Sequence, residues 1–197
     1  MLNIITMPLG DYQTNCYIVS EKGSDHCVVI DPGYTPEVIL NHLGHLTVDA
    51  ILLTHGHFDH VGGVREIAAE TDCRVYLCQE DLSLPPQITA GPLFYTDLYK
   101  ENDRITEAGL TFRVLQTPGH TPGSVCLICE DAMFSGDTLF AGSCGRTDMP
   151  GGSWAAMDAS MKRLSTIAEN LKVSPGHGPS STLAEEKASN PYMKGKL

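Results

Sequence analysis

The sequence predicts an α/β fold, and three observations carry that reading. Apolar runs of strand length alternate with longer amphipathic stretches, and the runs end in turns rich in Gly, Pro and Asp. At 197 residues the chain suits one domain with a sizeable core, and with 42% hydrophobic and 19% charged residues it is not disordered.

In chain order, strand-like runs cover Leu2 to Met7, Asn15 to Ser20 and Cys27 to Ile30, the last ending at Asp31-Pro32-Gly33. A helix is expected next, because Pro36 suits a first turn and Val38, Leu40, Leu43 and Leu46 fall near helical spacing. Ala50 to Leu53 is wholly apolar and reads as a buried strand. It leads directly into Thr54-His55-Gly56-His57-Phe58-Asp59-His60. A helix from about His60 to Glu70 and a strand over Arg74 to Cys78 complete a strand–helix–strand unit.

Residues 83–103 are irregular, with Pro85-Pro86, Gly91-Pro92 and the exposed-looking aromatics Phe94, Tyr95 and Tyr99. A loop of that length is usually functional, so this segment is expected to wall or cover a cleft; the other reading is a packed surface loop. Strands follow near Thr111 to Leu115, Val125 to Cys129 and Ala132 to Ser135. In the last third Trp154, Met157, Met161, Leu164, Ala168 and Leu171 keep a helical spacing behind a Ser153 cap. Thr182-x-x-Glu185 has the form of a capping box opening a short helix.

Charge narrows the partners. Twenty-four acidic and 13 basic residues leave −11, and the Lys and Arg residues are scattered, whereas nucleic acid or an anionic membrane requires a basic patch. No Lys or Arg precedes Lys22, Pro8, Gly10 and Asp11 interrupt the first segment, and no apolar run approaches roughly 18 residues. A soluble, cytoplasmic protein is expected. The seven cysteines (Cys16, Cys27, Cys73, Cys78, Cys126, Cys129 and Cys144) are odd in number and irregularly spaced, as reduced thiols would be. Cys126 and Cys129 form a C-x-x-C, but three apart on a strand they face opposite ways.

The chemistry concentrates in histidines beside Gly or Asp at the ends of apolar runs. In His55-x-His57-x-Asp59-His60, residues 55 and 57 can point to one side while Asp59 and His60 follow the turn. Four donors in so short a stretch exceed one tetrahedral ion's share from a single loop and suggest two neighbouring metals. Further candidates are His120 in Pro118-Gly119-His120-Thr121-Pro122-Gly123, Asp137 in Ser135-Gly136-Asp137-Thr138, and His177 in Pro175-Gly176-His177-Gly178-Pro179.

These motifs, in this order from Asp31 to His177, resemble those of the metallo-β-lactamase-fold hydrolases. The resemblance implies an αββα sandwich, two mixed β-sheets flanked by helices, with a metal cleft at one edge. It implies one metal on His55, His57 and His120, a second on Asp59, His60 and His177, and Asp137 bridging. Asp59 and Asp137 become the candidate catalytic carboxylates, and Asp31 a residue behind the ligands that orients the loop and its histidines. The implied cofactor is two divalent metal ions, zinc first, though such ligands also accept iron or manganese.

Gly145-Arg146-Thr147-Asp148 looks like the G-R-T-D stretch of type II glyoxalases and persulfide dioxygenases, and the P-G-H-G-P form at His177 is similar to the small single-domain type II glyoxalase (hydroxyacylglutathione hydrolase)-like branch. The resemblance therefore implies a single domain over residues 1–197, without the helical C-terminal domain of two-domain type II glyoxalases. It implies a metal-dependent thioester hydrolase in which metal-bound hydroxide attacks the thioester carbonyl of a small-molecule substrate. The alternative is an iron-dependent persulfide dioxygenase with one iron on His55, His120 and Asp137. Nuclease and lactamase readings rank lower, for want of a basic arm and an export signal. Arg146 is the only basic residue between Arg113 and Lys162. It is the candidate for binding a substrate carboxylate, with a salt bridge to Asp148 as the other reading. Cys144 is expected either to pack or to touch substrate.

Overall fold

The structure, a computed structural model, describes residues 1–194. The first sheet contains β1 (Leu2–Leu9), β2 (Thr14–Glu21), β3 (His26–Ile30), β4 (Thr47–Leu52), β5 (Arg74–Cys78) and β6 (Asp97–Tyr99), adjacent in that order. Its first three strands are antiparallel, and β3 to β6 are parallel. The second half supplies β7 (Arg104–Glu107), β8 (Leu110–Gln116), β9 (Val125–Cys129), β10 (Ala132–Gly136), the short hairpin β11 (Leu139–Phe140) and β12 (Ser143–Cys144), then β13 (Lys172–Pro175) and β14 (Ser181–Thr182). The second sheet runs β14-β13-β10-β9-β8-β7, with β10 and β13 parallel. Helices α1 (Pro36–Leu43), α2 (Phe58–Val61), α3 (Val64–Thr71), α4 (Pro86–Thr89), α5 (Trp154–Ser165) and α6 (Leu183–Ser189) complete the chain.

Period-two alternation divides each strand between two cores. Tyr17, Val19, Val28 and Ile30 meet Phe112, Val114, Leu127 and Phe134 between the sheets. The opposite faces carry Cys16, Ile18, Cys27 and Val29 onto α1 and α3, and Cys126, Ile128 and Met133 onto α5 and α6. The layers are thus helix, sheet, sheet, helix, the expected sandwich. Cys126 and Cys129 fall in different cores, as strand geometry requires, and among the described residues all seven cysteines are free. No described helix is long and apolar enough to cross a membrane.

Several elements depart from the periodicity reading. In α1 the buried residues are Ile39 and Leu43, one helical turn apart; Val38 and Leu40 are half-buried, and Leu46 lies beyond the Gly44 cap. The single helix expected from His60 to Glu70 is two helices, α2 and α3, broken at Gly62-Gly63. There Gly63 donates its N–H to the Pro32 carbonyl (2.8 Å), and Gly62 lies so close to the Gly33 carbonyl that a Cβ would collide with it. α5 ends at Ser165, so Ala168 and Leu171 are outside it, and Trp154 at its start is exposed; the Ser153 cap is present, its Oγ accepting from the Ala156 N–H. The Thr182–Glu185 capping box is formed.

Residues 83–103 hold α4 and β6, and β6 extends the first sheet beside β5. Tyr99 is buried between the sheets, not exposed, and its hydroxyl donates to the Leu53 carbonyl. A three-residue strand with one inward side chain carries too little alternation to be legible.

Candidate metal centre

Strands of both sheets end at one edge of the sandwich, and their ends deliver the donors. β4 hands the chain to Thr54-His55-Gly56-His57, and α2 adds Asp59 and His60. From the second sheet, the turn between β8 and β9 brings His120, the end of β10 brings Asp137, and the end of β13 brings His177. The structure brings all seven predicted residues together. Donor atoms lie within 4.8 Å of one another in three overlapping groups: His55, His57 and His120; His55, His60 and Asp137; and Asp59, His60 and His177. Asp137 stands between the two sides, with Oδ2 3.4 Å from His120 Nε2 and 3.5 Å from His177 Nε2, and Oδ1 3.4 Å from His60 Nε2.

The rear nitrogen of four rings is held by protein. His120 Nδ1 donates to the Arg146 carbonyl (2.8 Å), and His177 Nδ1 to the Tyr12 carbonyl (3.0 Å). His60 Nδ1 lies 2.9 Å from Asp31 Oδ2. His55 Nδ1 is 3.1 Å from Thr54 Oγ1, whose hydroxyl donates to the same Asp31 oxygen (2.6 Å), while Asp31 Oδ1 accepts from the Thr54 N–H (2.8 Å). Asp31 thus sits where its expected orienting role requires, behind both His55 and His60. Such rear partners fix the ring and its tautomer and turn the other nitrogen toward the cluster, where His120 Nε2 lies 2.8 Å from His57 Nδ1.

Those other nitrogens are the sign that a cation belongs here. His55 Nε2, His57 Nε2, His60 Nε2 and Asp137 Oδ1 are buried without a hydrogen-bond partner among the described residues. Orphaned polar atoms of this kind are costly unless something polar occupies the space between them. The imidazole and carboxylate donors suit a dinuclear metal site.

Titration behaviour agrees. Burial, and then the neighbouring His60 and His120 rings, pull His55 well below the ordinary histidine range. Burial with His120 and His60 pulls His57 to about 4, so both rings are neutral donors at neutral pH. For His60 burial acts downward, but Asp137 and Asp31 carry the ring well above its usual range. Burial raises the Asp59 carboxyl, yet the His177 hydrogen bond and the His60 charge hold it far below the carboxylate range; Asp137 is likewise lowered, burial being outweighed by His60 and His120. Both carboxyls are thus held toward their ionised form, and the upward pull of Asp137 on His60 and of Asp59 on His177 marks a site that favours positive charge, which divalent cations would supply.

The cluster opens into a cleft of about 620 Å³, walled by Tyr12, Phe58, Phe140 and Met149 and also lined by Cys144 and Arg146. Tyr12 and Phe58 meet edge to face at 5.4 Å. Arg146 grips Asp148 with two hydrogen bonds, Nε to Oδ1 (2.7 Å) and Nη2 to Oδ2 (2.9 Å), so the salt-bridge reading of this residue holds in the structure. Cys144 both faces the cleft and packs against the α5 core, with burial pushing its thiol up to about 11. No residue of 83–103 lines the cleft, so that segment is the packed alternative, neither wall nor lid.

Sequence reasoning missed Tyr12, Thr14, Asn15 and Asp81. Thr14 Oγ1 donates to Asp59 Oδ2 (3.1 Å), Asn15 Nδ2 to the Pro175 and Gly178 carbonyls (3.0 Å each), and Asp81 accepts from the loops of His55 and His120. Nothing in their neighbourhoods marks them, because their partners are distant in the chain.

Comparison with known proteins gives the family and its nearest themes. Residues 9–177 match the family described as the metallo-beta-lactamase superfamily. The hydroxyacylglutathione hydrolase GloC of Haemophilus influenzae is 30% identical over 99% of this chain and 100% of its own length. Among solved structures, the BLEG-1 B3 metallo-beta-lactamase is 36% identical with a TM-score of 0.87, covering 98% of this chain and 99% of that one. TTHA1623, solved in a di-iron-bound form, is 40% identical with a TM-score of 0.84, covering 95% and 99%.

Proposed function

Because the chain belongs to the metallo-beta-lactamase superfamily, whose members are generally metallo-hydrolases, we propose that it is a metal-dependent thioester hydrolase of the hydroxyacylglutathione hydrolase type. The observation that carries the reading is the set of overlapping donor groups, with Asp137 within 3.5 Å of His60, His120 and His177, opening onto a largely apolar cleft. His55, His57 and His120 would hold one ion and Asp59, His60 and His177 the other, with Asp137 common to both. When bound, two such ions supply Lewis acidity toward a carbonyl oxygen and lower the pKa of a water toward neutrality.

The chain's own groups do the rest. Tyr12, Phe58, Phe140 and Met149 enclose the acyl and thiol arms and exclude bulk water. Asp59 Oδ2, kept ionised by His177 and steadied by Thr14, is placed to accept a hydrogen bond from an attacking water. Arg146 can exchange Asp148 for a substrate carboxylate, since an exposed pair of this kind is worth only about 0–1 kcal/mol. A thiol leaves readily as thiolate, so no dedicated protein acid is required.

Metal analysis of the purified protein with turnover of S-lactoylglutathione and a neutral thioester tests the reading. Hydrolysis that His57→Ala and Asp137→Ala abolish with the fold retained is expected; unchanged turnover in either variant overturns it. Replacing Arg146 should raise KM for the anionic substrate more than for the neutral one. A chromogenic β-lactam belongs in the same panel, given the likeness to BLEG-1.

A second reading, an iron-dependent persulfide dioxygenase using His55, His120 and Asp137, draws on the di-iron form of TTHA1623 for the choice of metal. What favours the dinuclear hydrolase is that one ion on those three residues leaves the second donor group, Asp59, His60 and His177, unfilled and the buried Nε2 of His60 without a hydrogen-bond partner. Oxygen uptake with glutathione persulfide, without thioester hydrolysis, would decide for the dioxygenase.

A further inference from the structure

Two sets of buried hydrogen bonds stand behind the donor groups, and they do not overlap. The first centres on Asp81, in the 3₁₀ turn 79–83 that follows β5. Its side chain is wholly buried, and it is far from every donor in sequence. Asp81 Oδ2 accepts from the Gly56 N–H (2.7 Å), between His55 and His57, and from Thr121 Oγ1 (3.0 Å), next to His120. Asp81 Oδ1 accepts from the Gly123 N–H (2.6 Å) in that same loop. One carboxylate therefore ties the loop carrying His55 and His57 to the loop carrying His120.

The second set belongs to the start of β2. Asn15 donates its backbone N–H to the Gly176 carbonyl (2.7 Å) and its side-chain amide to the carbonyls of Pro175 and Gly178, encircling His177. Thr14 next to it holds Asp59. Neither residue hydrogen-bonds His55, His57, His120 or the Gly56, Thr121 and Gly123 groups that Asp81 holds, and Asp81 hydrogen-bonds neither Asp59 nor His177.

We propose that the two metal positions have separate positioning residues: Asp81 sets the geometry of the His55, His57 and His120 position, and Asn15 that of the Asp59, His60 and His177 position. The inference rests on the reading that these groups hold two ions. Its physical basis is that a ligand loop held by buried hydrogen bonds is organised before the ion arrives, so losing the hold weakens that ion and not its neighbour. Asp81→Asn preserves shape but turns an NH2 donor toward one of the N–H or O–H groups that the carboxylate accepts, so at least one bond is lost. Asn15→Ala removes both side-chain bonds to the His177 loop.

The test uses the full chain stripped of metal and titrated with Co²⁺ alone, read by its visible spectrum for stoichiometry and stepwise affinity. Wild type is expected to take up two ions; fewer than two defeats the dinuclear reading itself and the inference with it. With two bound, Asp81→Asn should weaken one step by about 10–100-fold, the usual cost of removing a group behind a ligand, and leave the other within about threefold. Combining it with His57→Ala assigns the position. In the His57→Ala background, Asp81→Asn should change the remaining ion's affinity little, whereas Asn15→Ala should still weaken it about tenfold or more. Equal loss at both steps, no loss at either, or a further loss from Asp81→Asn in the His57→Ala background overturns the assignment. If Asp81→Asn does not fold, Thr121→Val removes a single bond to the same carboxylate, and its loss must fall on the same one step.

Discussion

Asp31 is a non-glycine residue with φ of +50°, in the left-handed region, and it is almost fully buried. A short polar side chain tolerates that conformation better than most, and here the strain turns the carboxylate back into the sheet edge. Its two oxygens serve Thr54 twice and His60 once, and through Thr54 they reach His55. Asp31→Asn keeps the shape and removes the anionic partner of His60. It should weaken metal binding by about 10–100-fold while the fold survives, which metal titration alongside circular dichroism would show. The spacing of His55, His57, Asp59 and His60 was readable because six consecutive residues carry all four. The roles of Thr14, Asn15 and Asp81 were not, because each acts on a partner tens of residues away.

Among the elements, the break between α2 and α3 decides where His60 points. Propensity alone favours closing it, since Ala is about 1 kcal/mol better than Gly inside a helix. The Gly33 carbonyl occupies the space a Cβ at Gly62 would need. Gly62→Ala should therefore destabilise, by about 1–3 kcal/mol as for other overpacked sites, and a denaturant melt would check the sign. A different device joins the sheet edges. Arg74 on β5 grips Asp97 on β6 and reaches Glu107 on β7 of the other sheet. The Arg74 hydrogen bond, with one from Thr96, holds the Asp97 carboxyl below its usual range. A carboxyl lowered by folding adds stability above its unfolded pKa and loses it as pH falls through the folded one. Asp97→Asn should thus lower Tm slightly at neutral pH, the exposed pair being worth about 0.5 kcal/mol. The difference between variant and wild type should vanish below the carboxylate range.

Over the whole molecule, the site is where two sheets packed on a common core end at the same edge of the sandwich. The first sheet supplies His55, His57, Asp59 and His60, and the second His120, Asp137 and His177, so bound ions would cross-link the halves of the sandwich. Ions that bind only the folded chain stabilise it by about 2.7 kcal/mol each at a hundredfold excess over Kd. Chelation should then lower Tm by roughly 5–10 °C per ion removed in a chain of this size. A melt unmoved by chelator would mean that the donors hold nothing tightly.

While Asp31 entered only through the family resemblance, the sequence by itself determined the α/β class, the strand runs of both sheets' centres and the seven candidate residues that the fold gathers at one edge. These are legible because alternation, turn residues and ligand spacing are local properties of the chain. Only the tertiary structure decided that Tyr99 lies between the sheets, that a helix breaks at Gly62-Gly63, and that Asp81 and Asn15 stand behind different donors. Each of these follows from how closely two distant segments approach, a distance that neither periodicity nor spacing encodes.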